Sequence, residues 1–172
     1  ASFVDSHTIR LSFPGGEGYR EVSSDKVLIA TGTSSTKAEN IPFDGKRIFL
    51  SDDILNLDRL PRSMTIVGAG VIGLEYASIF ATLGVRVTLI DQHPTMLPFI
   101  DSEIMASLTY HLRSSRVTLR LGEKVGAIKP FDDDRGEHVK IELESGKRIV
   151  TEKALYSIGR TGSTAELDLA SA

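Results

Sequence analysis

The middle of the chain alternates short apolar runs with stretches of helical period. Met64-Thr65-Ile66-Val67 is apolar at nearly every position, as a strand buried on both faces must be. It runs into Gly68-Ala69-Gly70-Val71-Ile72-Gly73. Beyond this turn Ile72, Tyr76, Ile79, Phe80 and Leu83 recur at the spacing of one helix face, while Glu75, Ser78 and Thr82 share another. Gly84 is a helix stop, and Val85 to Ile90 reads as a second strand ending at Asp91. The pattern predicts one right-handed strand, helix and strand unit. Past Pro94 and Pro98, Asp101 is placed to cap a second helix to about Ser115, with Ile104, Leu108, Leu112 and Ser115 toward the sheet. Val117 to Leu121 is the predicted third parallel strand.

On either side the pattern shortens. Ser2 to Val4, Thr8 to Phe13 and Arg20 to Ser23, with a Pro14-Gly15-Gly16 turn, read as a small β-meander. Lys26-Val27-Leu28-Ile29-Ala30 follows as a further apolar strand stopped by Thr31-Gly32. Residues 33 to 62 are polar and turn-rich and are expected to connect two units, with a helix around Ser51 to Leu57 capped by Ser51 or Asp52 and a boundary at Pro61. Val125 to Phe131 and Glu137 to Glu144 read as a hairpin around Asp132-Asp133-Asp134-Arg135-Gly136, with Lys147 to Val150 behind it. A last strand, Ala154 to Ile158, ends at Gly159-Arg160, and the tail after Leu169 is expected to be loose. The fold class so predicted is α/β: a Rossmann-like βαβ domain with a parallel sheet and a β-meander.

Composition narrows the classes. The 172 residues are 41% hydrophobic and 25% charged with 15 glycines and no repeat period, which excludes collagen-like, low-complexity and disordered chains. A net charge of -3 without a basic stripe argues against a nucleic-acid partner. The absence of cysteine removes disulfides, thiolate nucleophiles and Cys-based metal sites, and fits a reducing, cytoplasmic setting. His7, His93, His111 and His138 share no metal-ligand spacing, so no metal site is expected, and the triple Asp reads as a solvated hairpin tip. Residues 1 to 20 carry Asp5, Arg10, Glu17 and Arg20 and show no signal peptide. From Ser63 to Val85 the only formal charge is Glu75, but four glycines and a carboxylate costing about 2.5 to 3.5 kcal/mol at mid-bilayer fit a buried strand and helix rather than a membrane span.

Candidate chemistry centres on one motif. Gly68-x-Gly70-x-x-Gly73 follows a predicted strand, opens a predicted helix, and has Asp91 23 positions after Gly68 at the end of the next strand. The three glycines do different things. Gly68 allows a tight turn, Gly70 allows close approach of backbone to a pyrophosphate, and Gly73 allows close helix–strand packing. Amides near Gly70, Val71 and Ile72 then point at phosphate from a helix N-terminus. Asp91 is placed to accept from an adenosine ribose, which favours NAD over NADP. Gln92 and His93 offer donors to a 2′-phosphate, or are plain loop residues. Glu75 either meets a nicotinamide carboxamide or is a plain helix-face carboxylate. No Ser-His-Asp set, paired catalytic carboxylates or P-loop lysine is present, so no catalytic residue is assigned.

These residues resemble the pyridine nucleotide–disulfide oxidoreductase family. The shared marks are Ala30-Thr31-Gly32, Leu60-Pro61, Gly68 to Glu75, Leu97-Pro98-Phe99-Ile100-Asp101 and Gly159-Arg160. Within the family the similarity is greatest to its soluble pyridine nucleotide transhydrogenase branch, through Glu75-Tyr76-Ala77-Ser78-Ile79-Phe80, Ser107-Leu108-Thr109-Tyr110-His111 and Gly159-Arg160-Thr161-Gly162. Disulfide reductases more usually carry Gly-Arg-x-Pro-Asn at the last of these. The resemblance implies a flavoprotein whose FAD domain is split by an NAD(P)-binding insert. On that basis residues 1–36 are an FAD-domain meander and crossing strand, 37–62 a connector, 63–158 the NAD(P)-binding domain, and 159–172 the return toward the FAD domain. It also implies NAD(H) and NADP(H) as substrates, FAD in the full-length protein, its own FAD and dimerisation domains as partners, and a homo-oligomer. Hydride would pass between NADPH and NAD through flavin, and the chain alone is expected to be inactive. Residue by residue, Gly68, Gly70 and Gly73 serve the pyrophosphate, Glu75 the nicotinamide end, Asp91, Gln92 and His93 the ribose, Val125 the adenine edge and Gly159 the nicotinamide side. Asp91 is a poor host for a 2′-phosphate, which keeps open a dihydrolipoamide-dehydrogenase-like disulfide reductase. A non-catalytic NAD(H)-sensing module is a third reading.

Overall fold

A computed structural model describes residues 1–134 and 136–172. Two compact units divide the chain: Ala1–Ser34 with Arg160–Ala172, and Ser35–Gly159.

In the first unit β1 (Ser2–Asp5), β2 (Thr8–Ser12) and β3 (Tyr19–Ser23) form the expected antiparallel meander. Its register is held by polar side chains more than by a core. Arg10 donates to Glu21 across the β2–β3 ladder at 2.9 Å and stacks 4.6 Å from the centre of the Tyr19 ring, while Phe3 is buried. The predicted strand Lys26 to Ala30 is a correction: no ladder forms along it, and Leu28 is 90% exposed. A run apolar on both faces is stable as a strand only between neighbours, and this unit supplies none for it. β4 (Thr33–Ser35) and β13 (Arg160–Gly162) are hydrogen-bonded neighbours, with the Arg160 guanidinium donating to Thr33 Oγ1 at 2.7 Å and Thr33 O at 2.8 Å.

The second unit is built in three layers. Its centre is a five-stranded parallel sheet in the order β5 (Ile48–Leu50), β12 (Lys153–Tyr156), β6 (Ser63–Val67), β7 (Arg86–Asp91), β8 (Thr118–Leu121). Strand alternation sends Met64, Ile66, Val87, Leu89, Phe49 and Leu155 to one face, where α1 (Val71–Thr82) and α2 (Ser102–Ser114) cover them. Val67, Ile90, Ala154, Tyr156, Ile48 and Leu50 point the other way, onto the antiparallel sheet of β9 (Val125–Asp133), β10 (Gly136–Leu143) and β11 (Arg148–Thr151). Hydrophobic runs without alternation in the central strands follow from burial on both sides. Of the predicted hairpin tip, Arg135 lies outside the described residues.

Three expectations are corrected. In α1 the buried residues are Gly73, Leu74, Ala77 and Phe80, whereas Ile79 and Leu83 are 51% and 55% exposed. The helix sits on its small residues, because a Cβ on Gly73 would lie 1.8 Å from the Gly68 carbonyl oxygen. A count of large apolar side chains misses a face built on Gly and Ala. In α2 the cap is as predicted, Asp101 accepting from the Glu103 amide at 2.8 Å, but Ile104 points outward and Met105, Leu108 and Leu112 face the sheet. Finally, Ser51 and Asp52 cap no helix. Ser51 is hydrogen-bonded to Ser35 Oγ at 2.8 Å and Asp52 accepts from the Ser35 amide at 2.8 Å, leaving only a single 3₁₀ turn at Ile54–Asn56.

The stretch expected to be a connector also supplies β5, with all three residues buried. Asp44 sets its start: one carboxylate oxygen accepts from the amides of Lys46, Arg47 and Ile48 at 2.9, 2.7 and 2.9 Å. Burial works against its charge, but those amides and the Arg47 guanidinium outweigh it and hold the carboxyl below its ordinary value.

Candidate functional site

β6, β7 and β12 are neighbours that end at the same edge of the sheet, the edge at which open α/β sheets receive ligands. The order of strands reverses between β6 and β12, and there the glycine turn lies. Gly68 has φ +104°, and a Cβ on it would come within 2.5 Å of the Ser157 carbonyl oxygen. Its amide donates to Ile90 O at 2.8 Å, fastening the turn to β7. Gly70 is the N-cap of α1, in ordinary extended geometry, and a Cβ there meets nothing within 4 Å. Gly73 is packed closely against the turn. The three positions therefore differ in kind: strained turn, open backbone and packed backbone, as the spacing predicts.

Leu74 is the first residue of α1 whose amide reaches back to the turn, at 3.0 Å to Gly70 O. The amides of Val71, Ile72 and Gly73 precede it, and the N-cap Gly70 has no side chain to cap them. Donors are thus gathered at the positive end of the helix beside the open Gly70.

Asp91 ends β7, 15% exposed, and both of its oxygens have protein partners. Oδ2 accepts from the Ala69 amide at 2.6 Å, while Oδ1 accepts from the His93 amide at 2.8 Å and lies 2.8 Å from His93 Nδ1. The carboxylate ties the glycine turn to the loop after β7. The segment after β8 closes the corner, with Glu123 N donating to Asp91 O and Gly122 N to His93 O, each at 3.0 Å. Glu123 accepts from Lys147 Nζ and from Ser145 Oγ, and these bonds hold its carboxyl below the ordinary value. Val125 is half-buried at the start of β9 two residues on, and Gln92 is exposed beside Asp91. Glu75 is exposed one turn into α1. Gly159, three residues past the end of β12, accepts from the Thr36 amide at 3.0 Å.

Sequence reasoning passed over Ser157. Its hydroxyl, buried behind the turn, donates to Val67 O at 3.1 Å and Gly68 O at 3.3 Å, and its amide donates to Val67 O at 2.8 Å. A small polar residue closing a strand of apolar ones, just before a glycine, was the available signal. Among the described residues no group of His, Asp and Glu is placed to hold a metal, and no helix is long and apolar enough to cross a membrane.

The parallel sheet, its glycine turn and the covering helices define a Rossmann-like α/β unit. The chain belongs to the pyridine nucleotide-disulphide oxidoreductase family, whose profile matches residues 2–172. It is 44% identical over 172 residues to a soluble pyridine nucleotide transhydrogenase of Colwellia psychrerythraea, covering 100% of this chain and 36% of that protein. Two solved structures share the fold. LpdA from Mycobacterium tuberculosis superposes with a TM-score of 0.84 at 28% identity, over 95% of this chain and 35% of its own. The HOCl-induced flavoprotein disulfide reductase RclA from Escherichia coli gives 0.80 at 27% identity, over 99% and 37%. The chain thus spans about a third of the length of the relatives it matches.

Proposed function

We propose that residues 63–158 bind NAD(H) and NADP(H) for an FAD-dependent soluble transhydrogenase located in the cytoplasm. Gly68, Ala69, Gly70, Val71, Ile72 and Gly73 would cradle the pyrophosphate. Asp91, Gln92 and His93 would face the adenosine ribose, Val125 the adenine edge, and Glu75 and Gly159 the nicotinamide end. The observation that carries this reading is the open space at Gly70 beside uncapped helix amides, between two glycines whose surroundings exclude any side chain. The 44% identity to a named transhydrogenase supports the branch.

In the longer protein, residues 1–36 and 159–172 would belong to the FAD domain and 37–62 would join it to the nucleotide-binding domain. Support comes from the hydrogen bonds of Arg160 to Thr33 and of the Ser163 amide to Gly32 O, which set the two crossings side by side, and from the uncovered Leu28. The flavin, when bound, supplies the hydride relay between the two dinucleotides. This chain's residues bind and orient: the turn fixes the pyrophosphate, and the C-terminal edge of β12 positions the ring that exchanges hydride. A homo-oligomer of the complete protein is part of the proposal.

Calorimetric titration with NADH tests the site. Micromolar binding is expected, weakened at least tenfold in Gly70→Val, because a branched side chain would occupy the space of the pyrophosphate. Equal affinity in parent and variant would end the assignment. A dihydrolipoamide-dehydrogenase-like reductase is the second reading, favoured by the disulfide reductase among the structural neighbours. Flavin-loaded protein that reduces NAD with NADPH but not with dihydrolipoamide decides for the transhydrogenase.

A further inference from the structure

We propose that Ser157 is a positioning residue for dinucleotide binding: together with Asp91 it clamps one peptide plane of the glycine turn, and so aims the amides that follow at the diphosphate. The role rests on the reading of the glycine turn as a dinucleotide site. The plane is the peptide between Gly68 and Ala69. Its N–H donates to Asp91 Oδ2 at 2.6 Å, and its C=O accepts from Ser157 Oγ at 3.3 Å. The two holders reach the turn from opposite sides, because β6 lies between β7, which ends at Asp91, and β12, which ends one residue before Ser157.

The turn needs such a clamp. Gly68 sits at φ +104°, and without a Cβ its backbone does not by itself fix the direction of the next peptide. The Ser157 hydroxyl lies 3.1 Å from Val67 O and 3.3 Å from Gly68 O, but Val67 O already accepts from the Ser157 amide at 2.8 Å. The carbonyl whose direction depends on the hydroxyl is therefore that of Gly68. Ser157 is buried, so bulk water does not replace the donor once it is lost.

The space admits little else. A Cβ on Gly73 would lie 2.9 Å from Ser157 Oγ, and one on Gly68 would lie 2.5 Å from Ser157 O. Serine is the smallest side chain that brings a donor into that gap. Beyond the clamped plane come Gly70, open where a Cβ would stand, and the amides of Val71 and Ile72 at the start of α1. Donors held in place before a ligand arrives bind it more tightly than donors that must first be ordered.

The test compares the 172-residue parent with Ser157→Ala and Ser157→Cys. Alanine removes the donor, and cysteine fills the gap with a weak one. Calorimetric titration should show NADH and ADP-ribose, which both carry the diphosphate, bound about three- to tenfold more weakly by each variant. Adenosine, which lacks the diphosphate, should stay within about twofold of the parent by NMR titration. Hydrogen exchange is the second readout. The Ala69 amide, which the hydroxyl does not touch, should exchange at least about threefold faster in unliganded Ser157→Ala, while that of Leu89 in the middle of β7 is unchanged. Unchanged NADH affinity in both variants, or adenosine weakened as much as NADH, overturns the positioning role while the dinucleotide site stands. An unchanged Ala69 amide overturns the clamp. Should alanine destabilise the chain too far for titration, cysteine decides by the same criteria. If NADH fails to bind the parent, the dinucleotide reading falls and the role of Ser157 falls with it.

Discussion

Adding one methyl group at Gly70 and one at Gly73 should produce opposite phenotypes. At Gly73 the new Cβ would lie 1.8 Å from the Gly68 carbonyl oxygen and 2.9 Å from Ser157 Oγ. Ordinary carbon–oxygen contact needs more than 3 Å, roughly, so α1 must retreat from the turn by more than about 1 Å and loosen Leu74, Ala77 and Phe80 against the sheet. Overpacking of this kind costs about 1 to 3 kcal/mol and sometimes more, and the better helix propensity of alanine returns up to ~1 kcal/mol. A net loss of about 2 kcal/mol corresponds to a melting temperature lower by roughly 4 to 8 °C. At Gly70 nothing lies within 4 Å and the backbone is at φ -73°. Lower entropy of the unfolded chain and the weaker N-cap preference of alanine there nearly cancel, within ~0.5 kcal/mol.

Binding should separate the pair. Gly70→Ala should melt with the parent yet bind NADH at least tenfold more weakly, while Gly73→Ala should melt early and bind with an affinity that follows how far the turn has shifted. A double variant adds a control. Ser157→Ala removes the 2.9 Å contact but not the 1.8 Å one, so it should fail to rescue Gly73→Ala. The assays are differential scanning calorimetry and NADH titration. Gly73→Ala melting with the parent, or full rescue by Ser157→Ala, would refute the claim that backbone contact between helix and turn limits this position.

Leu112→Ala should cost about 2 to 5 kcal/mol in chemical denaturation, because Leu112 is fully buried under α2, while Ile104→Ala, 61% exposed, should stay within ~0.5 kcal/mol; similar costs would return the helix face to the one predicted from spacing. Asp44 has a folded-state pKa lowered from 3.8, so its contribution is complete above that value and lost as pH falls through the lower one. Asp44→Asn should therefore destabilise by about 1 kcal/mol at neutral pH, and the gap should close as pH falls below 3.8 and through the lowered value; a gap that persists in acid would mean that the charge is irrelevant. Asp91→Asn should speed hydrogen exchange of the Ala69 amide about tenfold and narrow the preference for NADH over NADPH, since a carboxamide has one accepting oxygen where the carboxylate uses two; unchanged exchange would remove Asp91 from loop positioning.

Legibility of the chain tracked how local each cause was. The β6–α1–β7 unit was readable because strand period, glycine spacing and the terminal Asp91 all lie within about thirty residues and agree with one another. β5 was not readable: Ile48, Phe49 and Leu50 are three apolar residues in a polar stretch, and they become a strand only because β12, more than a hundred positions later, pairs with them. Lys26 to Ala30 failed in the opposite sense, a strong local signal without a neighbour in its unit. At the site, the tight turn at Gly68 and the close packing of Gly73 were legible from spacing, but the occupation of Asp91 by the Ala69 and His93 amides was not, since it depends on how far the turn leans toward the end of β7. A carboxylate held at both oxygens cannot swing without releasing the Ala69 and His93 amides, so its direction is set by how the turn and the loop after β7 fold rather than by its neighbours in sequence.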